Sequence, residues 1–500
     1  MSSASTHPTG GRGAPGSAAP ATISGLDAMR GVGAAPAKGF WADAWTRVVR
    51  RRTAVAGLAW ISVVAFFAVF APLIANGHPL ILRETSAAGG TVRVTSPLLE
   101  WLTPTDWSLL AGAALALPLM ILPLRATRPR RLMLLVFAAL QVGLTLAIAT
   151  LLGDDVAPRG SFAAALSRWA WLVAPAIVLV PAALLGPTDG RWRRAGAALL
   201  AAAVAAGALR FGNQSELENF ARYAELERSG AATATYTLIP WSPTQTDTLR
   251  YFLPPMTSLG SVDPATAGTP AGRRLFILGT DTNGFDVLSQ LLHACRLSIS
   301  IGLVSTGIAV LIGVTIGALM GYVGGWLDLA LYRVVEIFMA IPVLFLLIVA
   351  AAVLPRNTYA MMAIIGCVTW TGAARFTRAE FLRLRHQDFA VAAQAVGLPL
   401  RSILFRHLLP NGVTPVLVDA SFAIAGAILV EATLSFLGLG PDRQASWGKL
   451  LSSATTSAGA FVWWLAIFPG LAIFLTVLSY NLLGEAMRDA IDPKLRKAAH

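Results

Sequence analysis

The sequence predicts an all-α polytopic membrane protein with about ten transmembrane helices. Hydrophobic residues make up 55% of the 500-residue chain and charged residues only 13%, whereas soluble domains carry about 25% charged residues. The apolar residues also form runs long enough to cross a bilayer as helices. This composition excludes a water-soluble protein. It also argues against a nucleic-acid binder, because most of the chain is uncharged runs rather than a concentrated basic face.

The N-terminal residues 1–53 are predicted to form a disordered, basic cytoplasmic tail, since the first 38 are mostly Gly, Ala, Pro, Ser and Thr. No apolar segment follows a basic start early enough for a secretory signal, so we expect the tail to be retained. Residues 54–75 carry no charge and span about 30 Å as a helix. The positive-inside rule places the N-terminus in the cytoplasm, given the preceding Arg47, Arg50, Arg51 and Arg52.

Nine further apolar runs complete the predicted count, at residues 107–124, 132–152, 169–186, 195–209, 297–321, 331–354, 358–374, 415–437 and 461–483. The mixed segment 211–295 contains acidic residues and prolines and is expected to be extracytoplasmic. Counted from a cytoplasmic N-terminus, the arginine clusters after the second and fourth helices lie on the cytoplasmic side, and Asp154 and Asp155 lie on the outer side. Counting the later membrane crossings in the same way places residues 376–414 and the C-terminal tail, residues 486–500, in the cytoplasm.

The predicted cytoplasmic loop at residues 376–414 is longer than most connections between packed helices. Helix-forming residues run to Val396, Gly397 and Pro399 stop the helix, and a second helical run ends at Pro410. The pattern predicts two short helices joined by a glycine turn in a compact knob. The small Ala392 and Ala393 would let a partner approach closely, and the knob would present charge through Arg401, Arg406 and His407. The alternative is a solvated basic loop that the positive-inside rule alone explains.

Two carboxylates, Asp419 and Glu431, lie in one apolar span. Twelve residues of helix turn them about 120° apart, so they cannot form one acid pair. A charge at membrane depth usually faces a cavity or a partner. We expect Glu431 to serve at a helix-packing or gate position, and Asp419 to snorkel or to pair with a basic group.

The sequence contains no convincing catalytic motif and no convincing metal-binding motif. Gly448-Lys449 lacks the rest of a phosphate-binding loop. Asp281, Asn283 and Asp286 faintly resemble a calcium loop, but Phe285 occupies a ligand position, so we expect a turn with helix capping by Asp281 or Asp286. The remaining candidates lack metal spacing or a disulfide framework: His293, His386, His407, Cys295 and Cys367.

Several motifs, in order along the chain, resemble the ABC importer permeases of the dipeptide/oligopeptide/nickel family, in particular their C-type subunit. The knob matches the coupling loop of binding-protein-dependent permeases at Ala392-Ala393, Gly397 and His407–Asn411. Residues 278–289, 296–298, 431–440, 446–448 and 488–496 are similar to further motifs of the family. The sequence departs from the family pattern at Val391, Phe285, Gln290 and Ala294.

The resemblance implies a six-helix core, formed by residues 54–75 and 296–485, with 76–210 as an inserted four-helix membrane region. An even number of inserted helices leaves the core topology unchanged. The coupling loop would dock on a separate ATPase subunit through Ala392, Ala393, Gly397, Arg401, Arg406, His407, Pro410 and Asn411.

The resemblance also implies the partners: a second homologous permease, two ATPase subunits that hold ATP and Mg, and an extracytoplasmic substrate-binding protein. This chain would bind no cofactor, lie in the bacterial inner membrane with both termini cytoplasmic, and pass peptides or related small solutes by alternating access. One alternative is a multi-spanning membrane enzyme of the lipid or glycosyl transferase type. A passive channel or a membrane scaffold is another.

Overall fold

The computed structural model describes residues 40–85, 92–102, 106, 109, 110, 113, 220–246, 250–267, 269, 271–354, 356–441, 444–454 and 461–491. In these residues, four helices are long and apolar enough to cross a membrane, and a bent pair makes a possible fifth. The predicted helical architecture is therefore confirmed. The four spans expected between 107 and 209 lie outside the described residues except for isolated positions, so the count of ten stays a prediction.

In chain order, the helices are α1 (Phe40–Arg50), α2 (Arg52–Ile74), α3 (Pro97–Trp101), α4 (Phe220–Arg228), α5 (Leu259–Val262), α6 (Val287–Val323), α7 (Gly325–Ala340), α8 (Val343–Val353), α9 (Thr358–Thr369), α10 (Thr371–Leu384), α11 (Asp388–Ala395), α12 (Leu400–Ser402), α13 (Leu409–Gly412), α14 (Thr414–Phe436), α15 (Trp447–Ser453) and α16 (Trp463–Ile491). A π-helical turn, Ile403–Leu408, joins α12 to α13.

Helix α6 is the central element of the bundle and packs against α2, α9, α10 and α14. At 1.5 Å per residue its 37 residues extend about 55 Å. It approaches α10 along three glycines spaced four residues apart, Gly313, Gly317 and Gly321. A β-carbon on each would contact the carbonyl oxygen of Trp370, Ala374 or Arg378, respectively. The absence of side chains at these positions lets the two backbones pack directly against each other.

Helices α7 and α8 were expected to form one span, residues 331–354, but they are bent by 84°. The break lies at Ile341 and Pro342. Proline has no N–H to donate within a helix and disfavours helical geometry in the preceding residue, and Ile341 is extended. By contrast, α9 and α10 adjoin through the helical Trp370. Together they continue ten residues beyond the predicted end of that span.

Short strands are a departure from the predicted all-α class. The strands β1 (Ile81–Thr85), β2 (Val92–Thr95) and β3 (Ala232–Thr235) form an antiparallel sheet in the order β2-β1-β3, and β4 (Thr257–Ser258) pairs with β5 (Leu275–Phe276). Arg83 lies opposite both Val94 and Thr233. The sheet joins residues that the sequence analysis assigned to the inserted region with residues of the predicted extracytoplasmic segment. We call this part, residues 76–102 and 220–286, the sheet end of the bundle.

The beginning of the inserted region meets the segment after it at one buried histidine. The rings of Trp101 and Phe220 each lie 4.8 Å from the His78 imidazole, and Trp101 is stacked on it with an interplanar angle of 8°. The Tyr223 hydroxyl lies 3.2 Å from His78 Nδ1. His78 is only 2% exposed. This aromatic cluster joins the first part of the inserted region to the segment that follows it.

Candidate functional site

The segment Asp388–Gly412 forms the compact knob that the sequence predicts, at the opposite end of α6 from the sheet. Helix α11 ends in a turn in which Gly397 has a φ of 76°. The N–H of Gly397 donates to the carbonyl of Gln394 at 2.9 Å, and the N–H of Leu398 donates to the carbonyl of Ala393 at 3.2 Å. These two bonds are those of a Schellman motif, which commonly has glycine at the left-handed position. The second helical run extends past its expected end at Pro410 to Gly412.

An apolar inner face fixes the knob to the bundle. Leu404 and Leu408 pack with Ala318 of α6 and with Phe381 and Leu384 of α10. All five side chains are buried. The inner face thus packs the knob against α10 and α6.

The two alanines that were expected to face a partner are separated by the structure. Ala392 is exposed, whereas Ala393 is only 7% exposed and packs in the inner face. Consecutive helix residues point about 100° apart, so one face cannot carry both. His407 is half-buried. The other predicted residues of the loop are exposed, namely Gly397, Arg401, Arg406, Pro410 and Asn411.

The outer face of the knob also carries apolar side chains that the sequence analysis did not select. They are exposed large residues in an otherwise polar and basic loop: Phe389, Val391, Val396, Leu400 and Phe405. Spacing alone does not reveal them, because the exposed Leu400 precedes the buried Leu404 and Leu408 at the same four-residue interval. From 389 to 412 the sequence contains no acidic residue. The knob therefore presents an apolar surface with positive charge beside it.

Glu431 of α14 is fully buried and joins two elements. Its Oε1 accepts hydrogen bonds from Ser435 Oγ at 2.7 Å and Ser446 Oγ at 2.8 Å. Ser446 also caps α15 by accepting from the N–H of Gly448 at 3.1 Å. A β-carbon on Gly448 would meet the carbonyl oxygen of Ala432. Glu431 thus attaches α15 to α14, and its role at a packing or gate position stays a prediction.

Asp419 lies apart from Glu431 on α14 and is half-buried. Among the described residues, its carboxylate makes no hydrogen bond and no ion pair. The two carboxylates of α14 therefore do not share a site.

The three residues that faintly resemble a calcium loop form a turn instead. Asp281 Oδ1 accepts from the N–H groups of Asn283 and Phe285 at 2.8 and 2.9 Å, and its Oδ2 accepts from Gln290 at 2.7 Å. Asp286 caps α6 by accepting from the N–H of Ser289 at 2.7 Å. Burial raises the pKa of Asp286 to about 7. The Asp281 oxygens are thus taken by protein donors, and no group of three possible metal ligands occurs in the described ranges.

Comparison with known proteins adds two family matches. The family described as binding-protein-dependent transport system inner membrane component matches residues 313–497. The N-terminal TM domain of oligopeptide transport permease C matches residues 39–84. The first match contains the knob and α14, and the second contains α1 and α2.

Similar whole proteins are peptide permeases. The oligopeptide transport system permease protein OppC of Haemophilus influenzae is 38% identical over 46% of this chain and 74% of its own length. The dipeptide transport system permease protein DppC of Alkalihalophilus pseudofirmus is 35% identical over 44% of this chain and 72% of its own. The peptidoglycan transport system permease protein YejE of Agrobacterium fabrum is 38% identical over 47% of this chain and 60% of its own length.

Proposed function

Since the chain belongs to the ABC peptide importer permeases, a family of multi-pass inner-membrane transport subunits, we propose that it forms the translocation path of an ATP-driven importer for peptides or related small solutes. The observation that carries this proposal is the knob. It has an exposed apolar and basic outer face, and its inner face packs on two helices of the bundle.

The proposed complex contains this chain, a second homologous permease, two ATPase subunits and an extracytoplasmic substrate-binding protein. The knob lies in the cytoplasm and docks on one ATPase subunit, which holds ATP and Mg. Its contact residues are Ala392, Gly397, Arg401, Arg406, His407, Pro410 and Asn411, together with the exposed Phe389, Val391 and Val396. Ala393 supports the knob from inside. The sheet end lies outside and faces the binding protein.

The proposed mechanism is alternating access. Closure of the ATPase subunits on ATP moves the knob, and the packing of Leu404 and Leu408 on Phe381 transmits this movement to α10. Helix α10 contacts α6 backbone to backbone along the three glycines, so the two helices move as a unit. This movement opens the path outward, the binding protein delivers the solute, and hydrolysis restores the inward-facing state. Glu431 and Ser446 hold α15 to α14 during the cycle.

Affinity purification of the chain from its native membrane, followed by mass spectrometry of the bound subunits, tests this proposal. We expect an ATPase, a second permease and a solute-binding protein, and we expect the reconstituted assembly to import peptides only when ATP is hydrolysed. A chain purified without an ATPase, together with reconstituted protein that moves peptide without ATP, would contradict the proposed function.

A further inference from the structure

Arg375 and Asp419 are two opposite charges on neighbouring helices that do not pair with each other. Arg375 is exposed and lies about one turn after Gly372, the α10 residue that faces the Asp419 carboxylate. No Arg375 nitrogen lies within 4.0 Å of a carboxylate oxygen of Asp419, the limit for an ion pair. Within the described part of the chain, the Asp419 carboxylate has no other partner either. A charge left unpaired in a membrane bundle faces a water-filled cavity or a partner rather than lipid.

Helix α10 approaches the Asp419 carboxylate at a glycine. Gly372 precedes Arg375 by about one turn of α10, and a β-carbon on it would lie 3.5 Å from Asp419 Oδ2. Glycine therefore places no side chain between the α10 backbone and the carboxylate. Arg375 extends towards α7, where its Nη1 lies 3.6 Å from the thioether sulfur of the exposed Met339. Three helices, α7, α10 and α14, therefore border the two charges.

The contact of Gly372 with Asp419 places the two charges within about one helical turn of each other along the bundle. The Thr358 hydroxyl donates to Gln444 Oε1 at 2.6 Å, which ties the start of α9 to the loop that follows α14 at the sheet end. Arg375 lies about 25 Å from Thr358 along α9 and α10. Asp419 lies about 25 Å from Phe436, the last residue of α14. A solute that moves from the sheet end towards the knob would therefore meet both charges together.

The neighbouring arginine of α10 shows what a structural ion pair looks like in this bundle. Arg378 donates to both carboxylate oxygens of Asp328 at 2.6 and 2.7 Å, and its guanidinium lies 4.8 Å from the centre of the Tyr332 ring. Arg378 is therefore fully engaged in holding α10 to α7. Arg375, one turn earlier, has no such carboxylate partner among the described residues.

We propose that Arg375 and Asp419 form a binding subsite for a zwitterionic solute within the translocation path. The Arg375 guanidinium binds the carboxylate of the solute, and Asp419 binds its ammonium group. Charge-assisted hydrogen bonds of this kind are about twice as strong as neutral ones. A neutral solute would leave both protein charges unpaired. This inference rests on the proposed transport function and adds the residues that contact the solute.

The test uses the complete transporter in proteoliposomes, with a mixture of di-, tri- and tetra-alanine as the probe. The variants are Asp419→Asn and Arg375→Gln, and the measured quantity is the amount of peptide imported per ATP hydrolysed. We expect this ratio to fall about tenfold in each variant while ATP hydrolysis and assembly persist. Arg383→Gln is the matched control, because Arg383 lies on the same helix, is exposed, and pairs with Glu380 of its own helix. We expect no change in this control.

Any of three results would contradict the proposed subsite. An unchanged ratio in both variants would show that the charges do not contact the solute. Parallel loss of assembly, ATP hydrolysis and import would show a structural role. Import without ATP in the variants would show that the two residues close on each other as a gate. If the wild-type complex assembles but imports none of the peptides, the proposed function fails as well, and this result is distinct from the three above.

Discussion

The N–H of Leu398 donates to the carbonyl of Ala393 across 3.2 Å, and this bond closes the turn of the knob around Gly397. Ala393 and Leu398 also belong to the apolar cluster that attaches the knob to the bundle. The same two residues therefore set the shape of the knob and its attachment. The position of the exposed α11 surface depends on this turn.

The first prediction concerns Gly397. Nothing lies within 4 Å of a β-carbon built on it, so the problem for a substituted residue is backbone conformation rather than collision. The φ of 76° is costly for a β-branched residue. We expect Gly397→Val to insert in the membrane normally but to lose co-purification with the ATPase and peptide import. Gly397→Asn should retain both, because asparagine tolerates this conformation. Normal assembly and import in Gly397→Val would count against the docking role.

The second prediction compares two glycines of α6. A β-carbon on Gly317 would collide with the carbonyl oxygen of Ala374 and lie 2.8 Å from Thr377 Cβ, whereas one on Gly307 meets nothing within 4 Å. We expect Gly317→Ala to destabilise the bundle by about 1–3 kcal/mol. Gly307→Ala should be neutral or stabilising, since glycine lowers helix stability. Thermal unfolding of the detergent-solubilised chain measures both. Equal midpoints would refute the close contact between α6 and α10.

The third prediction concerns pH at the sheet end. Burial lowers the pKa of His78 to about 4 from its ordinary value of 6.5. Because the folded state favours the neutral imidazole, the stabilisation is complete above pH 6.5 and is lost as the pH falls through 4. We expect the protection of the amides in residues 78–85 and 232–235, measured relative to their intrinsic exchange rate at each pH, to fall between pH 6.5 and 4. His78→Phe, which keeps an aromatic ring but cannot titrate, should remove this dependence. An identical acid response in His78→Phe would exclude His78 as its source.

The fourth prediction concerns the attachment of α15. Ser446→Ala removes the hydroxyl that donates to Glu431 and caps α15. Leaving the buried carboxylate without this donor should cost about 1–3 kcal/mol. We expect faster hydrogen exchange in residues 447–453. Thr433→Ala is the control, because the Thr433 hydroxyl bonds to Leu429 of its own helix. Unchanged exchange in Ser446→Ala would mean that other contacts hold α15.

Features that depend on neighbouring residues could be predicted from the sequence. The first span was expected at 54–75 and is Arg52–Ile74, because an uncharged run is a strong signal for a span. The expectation of disorder throughout residues 1–53 is wrong for Phe40–Arg50, which is helical because Ala44 and Val48 pack against α16. The knob turn follows from glycine and proline chemistry at Gly397 and Pro399. Asp286 caps α6 as one of the two expected residues. For the span, the turn and the cap, the residues that decide the structure are close together in the chain.

Features that depend on distant residues could not be predicted in the same way. The pairing of Arg83 with Thr233 joins two strands that are 150 residues apart in the chain. The open arrangement of Arg375 and Asp419 depends on how α10 and α14 pack, and Ser446 reaches Glu431 from a separate helix. Proline chemistry alone could have predicted the bend at Pro342. The continuous apolar run around Pro342 instead suggested one straight span.

The central claim, that the knob docks on an ATPase, is tested most directly by site-specific cross-linking in the assembled complex. In a chain with Cys295 and Cys367 replaced by alanine, Val396→Cys places a thiol at a position that is 78% exposed on the knob. Leu238→Cys places one at a position that is 85% exposed at the sheet end. We expect a short bis-maleimide to link Val396→Cys, and not Leu238→Cys, to the ATPase subunit. An ATPase cross-link from Leu238→Cys and none from Val396→Cys would contradict docking of the knob on the ATPase.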